Sequence, residues 1–244
     1  MTLTPDQYLN GFYSLLVVVL FTFVGIKIAL KYRINNEKTY IYVGLTWIGV
    51  VEAYYAVSIS YVFAIFNGVG IPAEIYFLIG VSFYPLSTIF WITAFTQLLI
   101  PERKRIFQLI FICIGVTFEV LFFILFFGYP QLLGSLLSPV DSQFGLIIRL
   151  YLIFSLAVIF ITGMIISIVT IRSSLRTNQL EFKLRGIFLS ITLITFVSGA
   201  GIDASLELNA IPLTIVRLML ITSAVFLYLA FIMPKWVLKL FKKE

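Results

Sequence analysis

Histidine is absent from the 244 residues, and cysteine occurs once, at Cys113. Those gaps close off several chemistries. Bis-histidine haem, histidine-box di-iron oxidation, HExxH zinc hydrolysis and serine–histidine proteolysis all need imidazole. A thiolate metal site or an internal disulfide needs more than one sulfur. Cys113 falls mid-span, where it reads as a small core hydrophobe. Charge is scarce too: 11 % of residues are Asp, Glu, Lys or Arg, against about 25 % in soluble domains. A chain this poor in charge could not cover a water-facing surface.

What is present is apolar length. Hydrophobic residues make up 61 % of the chain, and mean hydropathy is +1.09. The apolar stretches are Asn10–Lys31, Tyr40–Phe66, Pro72–Ile100, Ile106–Gly128, Gln143–Ile171, Leu184–Glu207 and Ile211–Met233. About 20 apolar residues cross a bilayer, and each stretch reaches that length. The alternating ten-residue segments of a membrane β-barrel are not seen. Lipid offers backbone groups no partners, so the spans must be helices. The expected fold is an all-α integral membrane protein: one seven-transmembrane-helix bundle over residues 1–244, without a separate soluble domain.

The connecting segments alternate in charge. Lys31, Arg33 and Lys38 follow the first span, and Arg103, Lys104 and Arg105 the third. Arg172, Arg176, Lys183 and Arg185 flank the gap after the fifth, and Lys235, Lys239, Lys242 and Lys243 form the tail. Met1–Leu9, Asn67–Ile71, the Gly/Pro/Ser-rich Tyr129–Ser142 and Leu208–Ala210 hold no Lys or Arg. The positive-inside bias of short loops then places the N-terminus outside and the C-terminus in the cytoplasm of a plasma membrane. No basic region precedes the first span, so a cleaved signal peptide is not expected. The net charge of +6 follows from this topology. It suits anionic inner-leaflet lipid and lends no support to nucleic-acid binding.

Two membrane families share features with the chain and fail on particular residues. Microbial rhodopsins need a lysine in the last helix, and Pro212–Pro234 has none. Gly199-Ala200-Gly201-Ile202-Asp203 is similar to the GxGD of intramembrane aspartyl proteases, but its spacing is off by one and no second aspartate lies in a span. The expectation is therefore a protein without cofactor, metal or catalytic residues, although acid, arginine or tyrosine chemistry on lipid stays open.

Ionisable groups inside spans are costly and usually face the bundle interior. Lys27 lies near the cytoplasmic end of the first helix and can snorkel outward. Helices 6 and 7 form a hairpin centred near Ala210, with Asp203 and Arg217 each seven residues away. Both therefore lie about 10 Å from the turn and can pair, with Glu207 one turn above Asp203. Glu119 and Arg149 bear the same mirror relation on helices 4 and 5, roughly 9–14 Å below the outer surface. Thr192, Thr195, Gly199, Asp203 and Glu207 share a stripe on helix 6, as do Ser142, Gly145 and Arg149 on helix 5 and Thr214 and Arg217 on helix 7. Such polar and small stripes mark helix–helix sides. Glu119, Arg149, Asp203, Glu207 and Arg217 thus form a candidate ligand pocket, whose guanidinium groups would favour an anionic or carboxylate ligand. Packing ion pairs are the competing explanation.

Glu52 lies near the midplane with no cation at its depth. It is expected as a hydrogen-bonded carboxyl, bonded to Tyr55 or to polar groups of helix 3, and it is the candidate proton-linked residue. Helix 3 is polar, carries Trp91 as a further candidate ligand contact, and should kink at Pro85. Trp47, Tyr54, Tyr55 and Tyr61 could wall a cavity beside it. Glu74 suits a first helical turn and Asp141 an N-cap of helix 5. Trp236 and Phe241 read as interfacial anchors.

Phe231-Ile232-Met233-Pro234-Lys235-Trp236-Val237-Leu238-Lys239 resembles the exit from seven-helix input modules of prokaryotic sensor proteins. Phe90-Trp91 and Leu98-Leu99-Ile100-Pro101-Glu102-Arg103-Lys104-Arg105 have a similar flavour. Only ten residues follow Pro234, so the resemblance implies a free-standing sensory or partner-binding module. Its partners would be membrane lipids, a small ligand and a cytoplasmic or membrane signalling protein. A small proton- or ion-linked transporter or channel, and an assembly protein without a pocket, are the alternatives. Two three-helix repeats would place substrate near Glu52.

Overall fold

The computed structural model describes residues 3–205 and 209–241. The chain runs α1 (Pro5–Leu30), α2 (Tyr32–Asn35), α3 (Thr39–Gly49), α4 (Glu52–Asn67), α5 (Ala73–Val81), α6 (Tyr84–Leu99) and α7 (Lys104–Gly128). A hairpin of β1 (Gly134–Ser138) and β2 (Asp141–Phe144) follows, then α8 (Leu146–Thr177), α9 (Leu180–Ser205), α10 (Ala210–Ile232) and α11 (Lys235–Phe241). Among the described residues, six helical segments are long and apolar enough to cross a membrane. The pair α3 and α4, bent by 48°, makes a seventh when taken as one broken span. The protein is a multi-pass helical membrane bundle.

Neighbouring helices close a ring: α1 packs on α3, α4 and α10, α10 on α9, α9 on α8, α8 on α6, and α6 on α3. α5 lies on α4, and α7 sits outside the ring against α6. The stripe expected on helix 6 faces inward, with Thr192 and Gly199 buried. The ring's centre is filled by aromatic side chains. Trp47 lies 5.8 Å from Phe21, 5.3 Å from Phe196 and 6.2 Å from Trp91, ring centre to ring centre. The Trp91 indole N–H donates to Thr162 Oγ1 at 2.7 Å.

Two spans break side by side. Pro85 has no N–H for the Val81 carbonyl, and α5 ends four residues before it, at Val81. The expected kink is thus a break at Ser82–Phe83, with Pro85 in the tolerated first turn of α6. Phe83 N–H, freed from the helix ladder, donates to Glu52 Oε1 at 2.7 Å. Glu52 starts α4 just after that span's own break at Val50–Val51. It therefore bonds to helix 3 backbone, whereas Tyr55 pairs with Thr22.

Four local expectations need correction. The segment read as a loop holds a small two-stranded sheet within the helical bundle. Asp141 lies in β2, and Gly145 takes the N-cap of α8, so Ser142 and Gly145 share no helix face with Arg149. Cys113 is exposed on the outer side of α7 rather than held in the core. Apart from these corrections, Trp236 and Phe241 on α11 are both exposed, as interfacial residues would be, and the Phe241 ring lies 6.3 Å from that of Phe188.

The basic segments and the tail meet at one end. Lys31 Nζ and Arg185 Nη1 both donate to the Phe231 carbonyl, at 2.7 and 3.1 Å. Cations suit carbonyls left unpaired at a helix C-terminus.

Glu52→Leu should destabilise the protein by about 1–3 kcal/mol, because Phe83 N–H loses its acceptor inside a membrane span. Glu52→Gln keeps a carbonyl there and should cost less. Thermal unfolding in detergent micelles compares the two.

Candidate functional site

The end of the bundle opposite the basic segments holds a cavity of about 220 Å³, lined by α1, α4, α5, α6, α8, α9, α10 and the hairpin. Its centre is Arg217, which is 3 % exposed. Arg217 Nη1 donates to Asp203 Oδ2 at 2.7 Å, and Nη2 donates to Asn10 Oδ1 at 2.8 Å. Tyr54 O–H donates to the same Asp203 oxygen at 3.0 Å. The Tyr54 ring lies 4.7 Å from the guanidinium carbon, within cation–π range. Arg217 Nε is buried and has no partner among the described residues.

The hairpin roofs this chamber. Gly134 opens β1 at φ +143, where a Cβ would strike the Gln143 carbonyl, so only glycine fits. Val140 at the hairpin turn is 1 % exposed and points into the bundle. Asn10 Nδ2 donates to the Val140 carbonyl at 2.8 Å, and Ser60 Oγ donates to Pro139 O at 2.5 Å. Asn10 therefore touches both the roof and Arg217. Phe77 meets Phe144 edge-on at 5.9 Å, fastening the base of β2 to α5.

Arg149 reaches the cavity from the first turn of α8. Its Nη2 donates to Phe144 O at 3.1 Å, while its Nε is buried without a partner among the described residues. Both arginines thus line the chamber, and each keeps a buried Nε without a partner among the described residues. Carboxylates of Asp6, Asp141 and Asp203 and the rings of Tyr54, Tyr76, Tyr84 and Phe144 complete its lining. The floor is formed by Val50, Ala53 and Tyr84, which border the two helix breaks. Below it the aromatic cluster shuts the bundle. Phe21 lies eleven residues beyond Asn10 on α1, about 16 Å deeper.

The expected pair of Asp203 and Arg217 forms, and Arg149 joins it at the same cavity. Glu119 does not, because it sits on the outer stripe of α7 and makes no ion pair with Arg149 among the described residues. The mirror-depth argument set its level but could not set its azimuth. Trp91 is 1 % exposed inside the aromatic cluster and lines no part of the chamber. Glu207 lies outside the described residues. Glu52 is a bridge beneath the floor rather than part of the lining. Of the four aromatic residues expected to wall a cavity, Tyr54 does so. Asn10 went unnoticed because a survey of charges passes over a neutral amide. A polar amide early in an apolar helix was the available signal.

No family model, curated protein or solved structure matches the chain.

Arg217→Ala should cost about 3–5 kcal/mol by stranding Asp203, and Asp203→Ala a similar amount. Arg217→Gln combined with Asp203→Asn should cost less, since no charge then lacks a counter-charge. Thermal melts of the three variants test this. Ser60→Ala should speed amide exchange across residues 134–144 roughly tenfold, as expected for one lost hydrogen bond.

Proposed function

We propose that the protein is a receptor-like, sensory membrane module that binds a small ligand in the hairpin-covered chamber and signals its occupancy to a cytoplasmic or membrane partner. The observation that carries this is that two arginines, Arg149 and Arg217, line one cavity, each with a buried Nε that has no partner among the described residues. A pair that served packing alone would not need a cavity beside it. Guanidinium favours carboxylate or phosphate oxygen, so the ligand carries an anionic group. The three lining carboxylates and the tyrosine rings favour a ligand that also has a cationic or donor group and some apolar surface.

In this reading the hairpin and N-terminus face outside and the tail faces the cytoplasm of a plasma membrane. The charge alternation supports that, as does the gathering of Lys31, Arg185 and the end of α10 at one pole. The resemblance of the Phe231–Lys239 exit to sensor input modules supports a signalling role for α11. A transporter is the second reading. Adjacent broken spans joined through Glu52 favour it, because discontinuous helices frame many transport sites. The aromatic closure beneath the floor weighs against an open conduction path.

Small carboxylates, phosphates and amino acids should include binders that raise the melting temperature of the wild type. Arg149→Ala should abolish that shift while changing the ligand-free melt little. A panel that shifts nothing, or shifts Arg149→Ala equally, overturns the reading. For orientation, Ser135→Cys in a Cys113→Ser background should react with impermeant maleimide on intact cells, and Ser173→Cys should not.

A further inference from the structure

The outer face of α7 carries a stripe the ligand reading does not use. Val116, Val120, Phe123, Ile124 and Phe127 are 40–79 % exposed and form one shallow groove with Glu119 at its middle. α7 lies outside the helix ring and is the least buried of the long segments. Glu119 is nine residues before Gly128, about 14 Å along the helix from its end, so it stands at hydrocarbon depth. A carboxylate there costs several kcal/mol and is rare away from a bundle interior. Among the described residues nothing hydrogen-bonds to it. The ionisable groups within electrostatic reach, Glu52 and Tyr151, bring no positive charge.

We propose that this face docks a transmembrane helix of a partner protein that carries a Lys or Arg at the depth of Glu119. The apolar stripe supplies the packing surface, and the carboxylate supplies register and selects for a cation. A second copy of the chain would not meet the need. Its in-span cations are Arg217, buried in the ion pair, Arg149, committed to the cavity, and Lys27, near the opposite pole. Lipid headgroups lie too far along the normal. The proposal goes beyond ligand binding and stands whether or not the chamber holds one.

The test uses the full chain, labelled and reconstituted in phosphatidylcholine vesicles, with polyleucine transmembrane peptides as probes and energy transfer as readout. A peptide with one Lys at the matching depth should bind about tenfold tighter than the all-leucine peptide, the scale of one interhelical polar contact. Glu119→Gln should remove that preference and leave the melt unchanged. Moving the Lys two residues along the peptide should remove it in wild-type protein, which guards against a misfolded variant. Equal binding of both peptides overturns the proposal. So does self-association of the wild type that Glu119→Gln abolishes, because the face would then belong to a second copy.

Discussion

A guanidinium that is 3 % exposed in a chain built for hydrocarbon has to find a counter-charge and hydrogen-bond acceptors inside the protein. Arg217 finds them on three other elements. Asp203 comes from α9, Tyr54 from α4 and Asn10 from α1. Those contacts fix how four helices meet at one pole of the bundle. Asn10 then passes the constraint to the hairpin turn through the Val140 carbonyl. Roof, wall and charge are one hydrogen-bonded unit, so a change at Arg217 reaches the hairpin through a single side chain.

The rest of the architecture divides into a polar chamber, a seam of helix breaks and a packed aromatic floor. The seam consists of the breaks at Val50–Val51 and Ser82–Phe83, tied by Glu52. Its residues border the chamber, so the points where backbone continuity is weakest lie next to the proposed ligand. The floor is the packed group of Phe21, Trp47, Trp91 and Phe196. A chamber closed below and covered above suits a protein that senses occupancy. It suits steady conduction poorly.

Much of the bundle was legible beforehand because hydrophobic length and charge alternation are one-dimensional properties. The pairing of Asp203 with Arg217 was legible for a similar reason: two helices joined by a short turn share depth, and depth can be counted along the chain. Glu119 shows where that reasoning stops. Depth places it level with Arg149, but the rotation of α7 against α6 turns it outward. Asp141 and the hairpin were hidden because a short polar segment carries too little periodicity to separate a strand from a loop. Trp91 was misplaced because its indole N–H finds Thr162 on a helix distant in sequence.

The sequence by itself determined that the chain is a helical membrane protein, which segments cross, and which ionisable groups lie inside them. Those follow from the cost of placing backbone and charge in lipid, and that cost is set residue by residue. Only the tertiary structure decided which of those groups share a cavity, that the connecting hairpin covers it, and that one carboxylate faces out. Those outcomes depend on how helices rotate about their axes when they pack, a choice made jointly by side chains far apart in the chain.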